Sequence, residues 1–281
     1  MEIIDEDIRL FIETVKSNSA YDFSEYTEKS FKRRIEKVVA DNRLTVNELV
    51  RKMEKDDDFL EKMVRDITVN TTELLRDPNV WIMLKDKILP EFQDKEMINI
   101  WHAGCSSGQE VYSMMILLNE LNLLHKANIL GTDLNTTVLD EARKGVYKYT
   151  FNKIYIENFD AIFNTEEEIK KRKSPLDFEK YFDINKTKDT MVAKSLITGK
   201  AIFRKHDLVN EKNKFDMNFD IIICRNVLIY FNTLLQNRVF ELFHNSLKDK
   251  SYLVIGLHES ILGPFSSRFD KKQLYYQKRN V

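Results

Sequence analysis

Over residues 1–75 the apolar positions fall three and four apart: Ile4, Ile8, Phe11 and Val15, then Phe31, Ile35 and Val38. That spacing is the period of helices with one buried face. Thr45 followed by Glu48 fits a capping box that opens a helix carrying Leu49 and Met53, and Asp56 to Asp58 separate it from another through Phe59, Met63 and Val64. Neither Gly nor Pro interrupts the stretch. Residues 1–75 read as a small all-helical domain.

From about residue 97 the pattern changes to short apolar runs, each closed by a polar turn and followed by a helical period. Ile98 to Trp101 leads into Gly104-Cys105-Ser106-Ser107-Gly108 and a helix through Tyr112, Met115, Ile116 and Leu118, and Ile129 to Gly131 ends at Asp133 before a helix through Val138 and Leu139. The rhythm returns at Ile202-Phe203, at Phe219 to Ile223, in a helix through Leu235, Val239 and Leu242, and at Tyr252 to Ile255. Such alternation predicts a mostly parallel sheet covered on both faces over residues 76–281. Residues 151–200 break it and read as an inserted subdomain, with a solvated helix across Glu166 to Lys173 and a hairpin within Tyr181 to Ile197. Gln273 to Gln277 alternates and is expected to add an antiparallel edge strand.

Composition narrows the class. A formal net charge of −1 argues against a surface built for nucleic acid. No apolar run approaches the ~18 residues of a membrane span, and Met1 to Glu6 lacks the basic start and apolar stretch of a signal peptide, so a cytosolic protein without membrane insertion is expected. Cys105 and Cys224 have no CxxC spacing and are expected to be reduced thiols, and the five histidines are too scattered for a metal site, His258 being expected to serve structure rather than catalysis.

In an open α/β sheet ligands bind beyond the carboxyl ends of the strands, where this chain is most polar. Gly104 and Gly108 flank the turn after the first strand, as an ordinary tight turn or as an open approach to a ligand. The spacing matches neither GxGxxG nor a P-loop. Asp133, 23 residues after Glu110, suits a carboxylate that accepts both hydroxyls of a ribose; it suits a helix cap equally, a role open to Asn135 as well. The strongest apolar run ends in Cys224-Arg225-Asn226-Val227-Leu228-Ile229-Tyr230-Phe231-Asn232, which sets Arg225, Asn226 and Tyr230 at the crevice or in a structural ion pair and a packed ring. Thr68 to Asp77 is rich in hydrogen-bonding groups, with a helix cap at Asn70 or Thr71 and an ion pair from Arg76 to Asp77 or Glu73 as its plainer reading.

Together these residues resemble the chemotaxis receptor glutamate methyltransferases of the CheR type. The likeness is collinear over nearly the whole chain: Thr-x-Asn-x-Thr-x-x-x-Arg at Thr68, Asn70, Thr72 and Arg76, the run WHAGCSSGQEVYS from Trp101 to Ser113, Gly131-Thr132-Asp133, His206-Asp207-Leu208 and, most specific, Cys224 to Phe231. It implies a Rossmann-like S-adenosylmethionine-dependent methyltransferase domain, a helical N-terminal domain that faces the receptor, and a small β-subdomain inserted after the second strand's helix.

Carried over by position, the resemblance implies cofactor contacts from Asn70, Thr72, Arg76, Gly104, Glu110, Asp133, Asp207, Leu208, Arg225 and Asn226, with Arg76 and Tyr230 near the transferred methyl. It also implies that Lys29, Lys32, Arg33, Arg34 and Lys37 grip an acidic receptor helix, that S-adenosylhomocysteine is the product, and that no metal takes part. Leu74-Leu75 replace the usual two aromatics before the signature Arg, Gln109-Glu110-Val111 replaces Glu-Glu-Pro, and no Gly lies between Gly145 and Gly199 to make the tight turns associated with a receptor tether. An ionised carboxylate is already a nucleophile at neutral pH, unperturbed Glu having a pKa of about 4.3, so methyl transfer to it needs no general base. The competing readings are a methyltransferase for another acceptor and a non-catalytic S-adenosylmethionine-binding signalling module.

Overall fold

The computed structural model describes residues 3–68, 70–150 and 154–279. Four helices come first: α1 (Asp5–Asn18), α2 (Glu28–Asn42), α3 (Val46–Met53) and α4 (Asp57–Ile67). The Thr45–Glu48 capping box forms, and the Asp56 carboxylate accepts the Phe59 N–H at the start of α4. Phe11, Val15, Phe31, Ile35, Val38, Leu49, Met53 and Met63 fill one core. Ile4 departs from the pattern: it lies just outside the first turn and is 55% exposed, while Ile3 takes the buried place.

After α5 (Pro78–Met83) the chain alternates through β1 (Ile98–Ala103), α6 (Gln109–Glu120), β2 (Ala127–Asp133) and α7 (Thr136–Lys144). Then come β3 (Val146–Tyr147), α8 (Ile154–Phe163), α9 (Glu166–Arg172), β4 (Phe182–Asn185) and β5 (Thr190–Ala193). The alternation resumes with β6 (Ala201–Lys205), β7 (Phe219–Cys224), α10 (Thr233–Ser246), β8 (Leu247–Ile255), β9 (Phe269–Lys271) and β10 (Tyr276–Lys278). Seven strands form one sheet in the order β6-β2-β1-β7-β8-β10-β9, parallel except where β10 runs against both neighbours. Strand order reverses between β1 and β7, which opens a crevice at their carboxyl ends. Period-two alternation covers both faces: Ile98, Ile100, Tyr252 and Val254 enter one core, and Trp101, Ala103, Leu253 and Ile255 enter the other beneath α10.

The expected edge strand at Gln273 to Gln277 is corrected in two respects. The strand begins at Tyr276, and it lies inside the sheet because β9 pairs along its outer side. A three-residue strand gives too short a period to be read from sequence.

In the segment read as an insertion, β4 and β5 form the expected hairpin, and β3, which precedes that segment, pairs with β5 to complete a small antiparallel sheet. The segment's first residues, 151–153, lie outside the described residues. Helix α9 has no buried residue, as its charges implied. The aromatics Tyr155, Phe159, Phe178 and Phe182, by contrast, join the same core as Trp81 and Tyr112. Glycine-free turns are made by Lys173 and Asp189 in left-handed conformations, and the Asp189 carboxylate accepts both the backbone N–H and the hydroxyl of Thr150. Among the described residues no helix is long and apolar enough to cross a membrane.

Candidate active site

Two adjoining clefts open at the switch between β1 and β7, and Gly104, Asn226 and Val227 line both. The larger lies between α2 and the strand ends, and the smaller beside the segment after α4. Asn70, Asp133, Asp207, Leu208 and Tyr230 line the first; Thr72, Arg76, Glu110 and Arg225 line the second. Arg76 and Tyr230, both expected near a transferred methyl, thus stand in adjoining halves.

Backbone geometry creates this space. Gly104 has φ +78, and a Cβ there would lie 2.5 Å from a Val227 methyl, so only glycine lets the first turn pass under the loop after β7. Asp133 ends β2 with its carboxylate accepting the N–H groups of Ser106 at 2.8 Å and Asn135 at 2.9 Å. Asn135 is the cap of α7, accepting the Thr137 N–H, so the two roles left open at Asp133 are divided between them. Burial pushes the Asp133 carboxyl up while those backbone donors oppose it.

The segment from Asn70 to Asp77 opens no helix; the next one starts at Pro78. Leu75 and Asp77 both adopt left-handed conformations around Arg76, with the Leu75 N–H donating to Ser113 Oγ at 2.7 Å. Leu74 and Leu75 are fully buried, as expected for apolar replacements of aromatic rings. The Arg76 guanidinium forms no ion pair among the described residues, which corrects the expected pairing with Asp77 or Glu73. Asp77 is taken instead by Arg225. Arg225 Nη2 donates to Asp77 Oδ2 at 2.6 Å and to the Arg76 carbonyl at 3.0 Å, and its Nη1 donates to Glu110 Oε2 at 3.2 Å. The structural ion pair is therefore real, and it ties the walls of the smaller cleft together.

His102 Nδ1 lies 3.0 Å from the other Glu110 oxygen. Burial pushes the Glu110 carboxyl up, but the His102 hydrogen bond and the Arg225 charge outweigh it and hold the group below its ordinary range. Asp207 is also committed locally, accepting the Val209 N–H and the Asn210 amide at the wall of the larger cleft.

Tyr26, Ser30 and Leu134 carry no signal in the sequence, and Phe31 and His206 read there only as a core position and as part of a motif. Tyr26, Ser30, Phe31, Leu134 and His206 all face the larger cleft. Tyr26 arrives because residues 25–27 are stapled to the loop after β7: the Thr27 N–H donates to the Tyr230 carbonyl, the Asn232 N–H to the Glu25 carbonyl, and Arg238 pairs with Glu25. Tyr26 and Phe231 rings meet edge to face at 5.1 Å. Burial raises the Tyr26 hydroxyl pKa, and the Asp207 and Asp133 charges raise it further, so it enters the cleft as a neutral donor. His258 is exposed in the loop after β8, where it supports no packing.

Of the basic residues on α2, Arg34 lines the larger cleft, while Lys32 is half-buried and Lys29 and Arg33 are exposed. Lys37 pairs with Asp41; Lys29, Lys32, Arg33 and Arg34 form no ion pair among the described residues.

The model of the CheR methyltransferase SAM-binding domain matches residues 70–276, and that of the CheR methyltransferase all-alpha domain matches residues 6–68. The chain belongs to the CheR methyltransferase family. Within that family it is 33% identical to the putative methyltransferase Cher3 of Pseudomonas putida, over 98% of this chain and 97% of that protein. It is 34% identical to the chemotaxis protein methyltransferase of Borreliella burgdorferi over 72% of this chain and 68% of that one, and 28% identical to that of Listeria monocytogenes over 93% and 92%. This CheR-family chain is an S-adenosylmethionine-dependent methyltransferase.

Its cleft suits the cofactor chemically. The Asp133 carboxylate is acceptor-only, with lone pairs beyond the two backbone donors it satisfies, which suits hydroxyl donors. The bound cofactor supplies an electrophilic methyl on a sulfonium. Tyr26, Phe31 and Leu208 give the larger cleft apolar walls, and Arg225 ties the walls of the smaller one together.

Proposed function

We propose that this methyltransferase esterifies glutamate side chains on the cytoplasmic helices of chemotaxis receptors, with the helices of residues 1–75 facing the receptor and residues 76–281, together with Asn70 and Thr72, holding the cofactor. The observation that carries this reading is the basic face of α2. Lys29, Lys32, Arg33 and Arg34, with no ion pair among the described residues, run along a helix that borders the cofactor cleft, and Arg34 is part of the cleft wall. Unpaired, partly exposed cations beside a reaction site suit an acidic partner, whose carboxylates they attract without prior loss of an internal ion pair.

Asn70, Thr72, Gly104, Glu110, Asp133, Asp207, Leu208, Arg225 and Asn226 form the cofactor site on this reading. The Arg76 guanidinium forms no ion pair among the described residues, which suits it to orient a substrate carboxylate by charge-assisted hydrogen bonds. Tyr230 lines the channel on the larger side. An ionised glutamate is nucleophilic at neutral pH, so the protein's contribution is position and exclusion of water. The seven-strand sheet and paired clefts do not distinguish acceptors, and the names of the Borreliella and Listeria relatives support the chemotaxis setting. A cytosolic location follows from the proposed acceptor.

The test is incubation with radiolabelled S-adenosylmethionine and a chemoreceptor cytoplasmic fragment. Label released by mild base as methanol from receptor glutamates is expected. Labelling of another acceptor, or cofactor binding without any transfer, would replace the reading.

A further inference from the structure

The residues from Arg225 to Val227 belong to no strand or helix, and the short 3-10 turn Leu228–Tyr230 that follows is too small to hold itself. Asn226 sits at φ +60, in the left-handed region that asparagine enters more readily than most non-glycine residues. Yet Asn226 lines both clefts and Tyr230 lines the larger. Something outside the loop must hold it.

That group is Glu259, 8% exposed, in the loop that follows β8. Its Oε2 accepts the Gly256 N–H at 2.6 Å and the Asn226 N–H at 3.1 Å, while its Oε1 accepts the Ile229 N–H at 3.1 Å. The Leu228 N–H also faces the carboxylate. Every donor is a backbone N–H, so an acceptor-only carboxylate fits where an amide would turn an NH₂ toward other N–H groups. Gly256 allows the approach: a Cβ there would lie 2.7 Å from Glu259 Oε2 and 3.0 Å from the Asn226 nitrogen. On the far side, Gln236 donates to the carbonyls of Leu228 and Phe231, so the turn is held from both directions.

We propose that Glu259 is a positioning residue of the methyl-transfer site, which clamps the backbone from Asn226 to Ile229 and thereby sets Asn226 against the cofactor and Tyr230 at the channel. It acts through that backbone and touches no reacting atom. The proposal rests on the reading of the two clefts as the cofactor site.

Calorimetric titration with S-adenosylhomocysteine tests it without any acceptor protein. Glu259→Gln is expected to weaken binding by about tenfold or more, the scale of one or two hydrogen bonds to a charged group. Gly256→Ala, which retains the carboxylate but displaces it, is expected to act in the same direction to a smaller degree, and serves if the first variant does not fold. Asp220→Asn, at the opposite end of β7, is the control for general destabilisation and is expected to lower the unfolding midpoint while leaving affinity within about threefold. Binding within about threefold of wild type in both loop variants overturns the proposal, as does equal weakening in the control at a matched midpoint. A wild-type chain that binds no S-adenosylhomocysteine overturns the cofactor site itself, a different failure read before any variant is made.

Discussion

Arg225 stands at the end of β7 with its side chain 1% exposed and three acceptors around it, whereas Lys29, Lys32, Arg33 and Arg34 stand along α2 with no ion pair among the described residues. Both sets lie near the same cleft and carry the same charge. Their surroundings divide the work. A guanidinium removed from water must be matched by acceptors on its own chain, and in meeting that demand Arg225 joins the loop before α5 to α6 and β7. A cation left in water has no such obligation and stays available to another molecule.

Removing the buried member tests the first half of the comparison. Arg225→Ala leaves the carboxylates of Glu110 and Asp77 without their partner and is expected to cost about 3–5 kcal/mol in urea unfolding, with S-adenosylhomocysteine binding lost in calorimetry. Survival of both would place Arg225 with the spectators.

Arg76 is an intermediate case, inside the cleft and yet without an ion pair among the described residues. Arg76→Ala is expected to lower turnover on receptor by about 10²-fold, as misplacement of a reacting group does, with the unfolding midpoint nearly unmoved. Full turnover with normal cofactor affinity would end its proposed role.

Asp220 sharpens the comparison from the acidic side. Its side chain is 1% exposed, but its partners Lys95 and Lys248 are about half exposed. Asp220→Asn is expected to cost about 1–3 kcal/mol. Burial raises the Asp220 carboxyl, and the Asn99 N–H, Lys248 and Lys95 outweigh it, leaving the group below its ordinary 3.8. A lowered folded pKa gives stability that is present above the unfolded value and lost as pH falls through the folded one. Unfolding measured against pH should therefore show the full gap between wild type and variant at neutral pH, closing only below about pH 3.8. A gap that persisted in strong acid would mean the charge was not its source.

The smallest effect is expected on α2. Lys32→Glu with Arg33→Glu should raise KM for receptor several-fold at low salt, with cofactor affinity unchanged, since exposed pairs contribute about 0.2–1 kcal/mol each. The effect should fade toward 1 M salt as the screening length shrinks to about 3 Å. An effect insensitive to salt would argue that the helix touches the receptor by shape rather than charge.

The comparison also explains what the sequence made legible. Strands, helices and caps follow local periods of two and 3.6 residues, and Asp133, Asn226 and Arg76 could be placed because each closes or precedes such an element. Which of Asp133 and Asn135 caps α7 could not be read, since both residue types accept backbone N–H groups equally well. The partners of Arg225 at Glu110 and Asp77 lie 115 and 148 residues away, a distance that no local pattern crosses. Glu259 was silent for the same reason: its task is defined by amides around residues 226 to 229, while the exposed neighbour His258 drew attention by residue type alone. Tyr26 likewise owes its place to the loop after β7, some 200 residues on.

The staple between residues 25–27 and the loop after β7 also sets an order of events during synthesis. The helical bundle has its own core and leaves the ribosome before the sheet, with Tyr230 and Asn232 about 200 residues behind residues 25–27. At roughly 5–20 residues per second the lip of the cleft waits on the order of 10–40 s for its other half to be made. Until then Tyr26 packs on Phe23 and Phe31 but lacks Phe231, and the lip of the cleft closes only once the loop after β7 has been made.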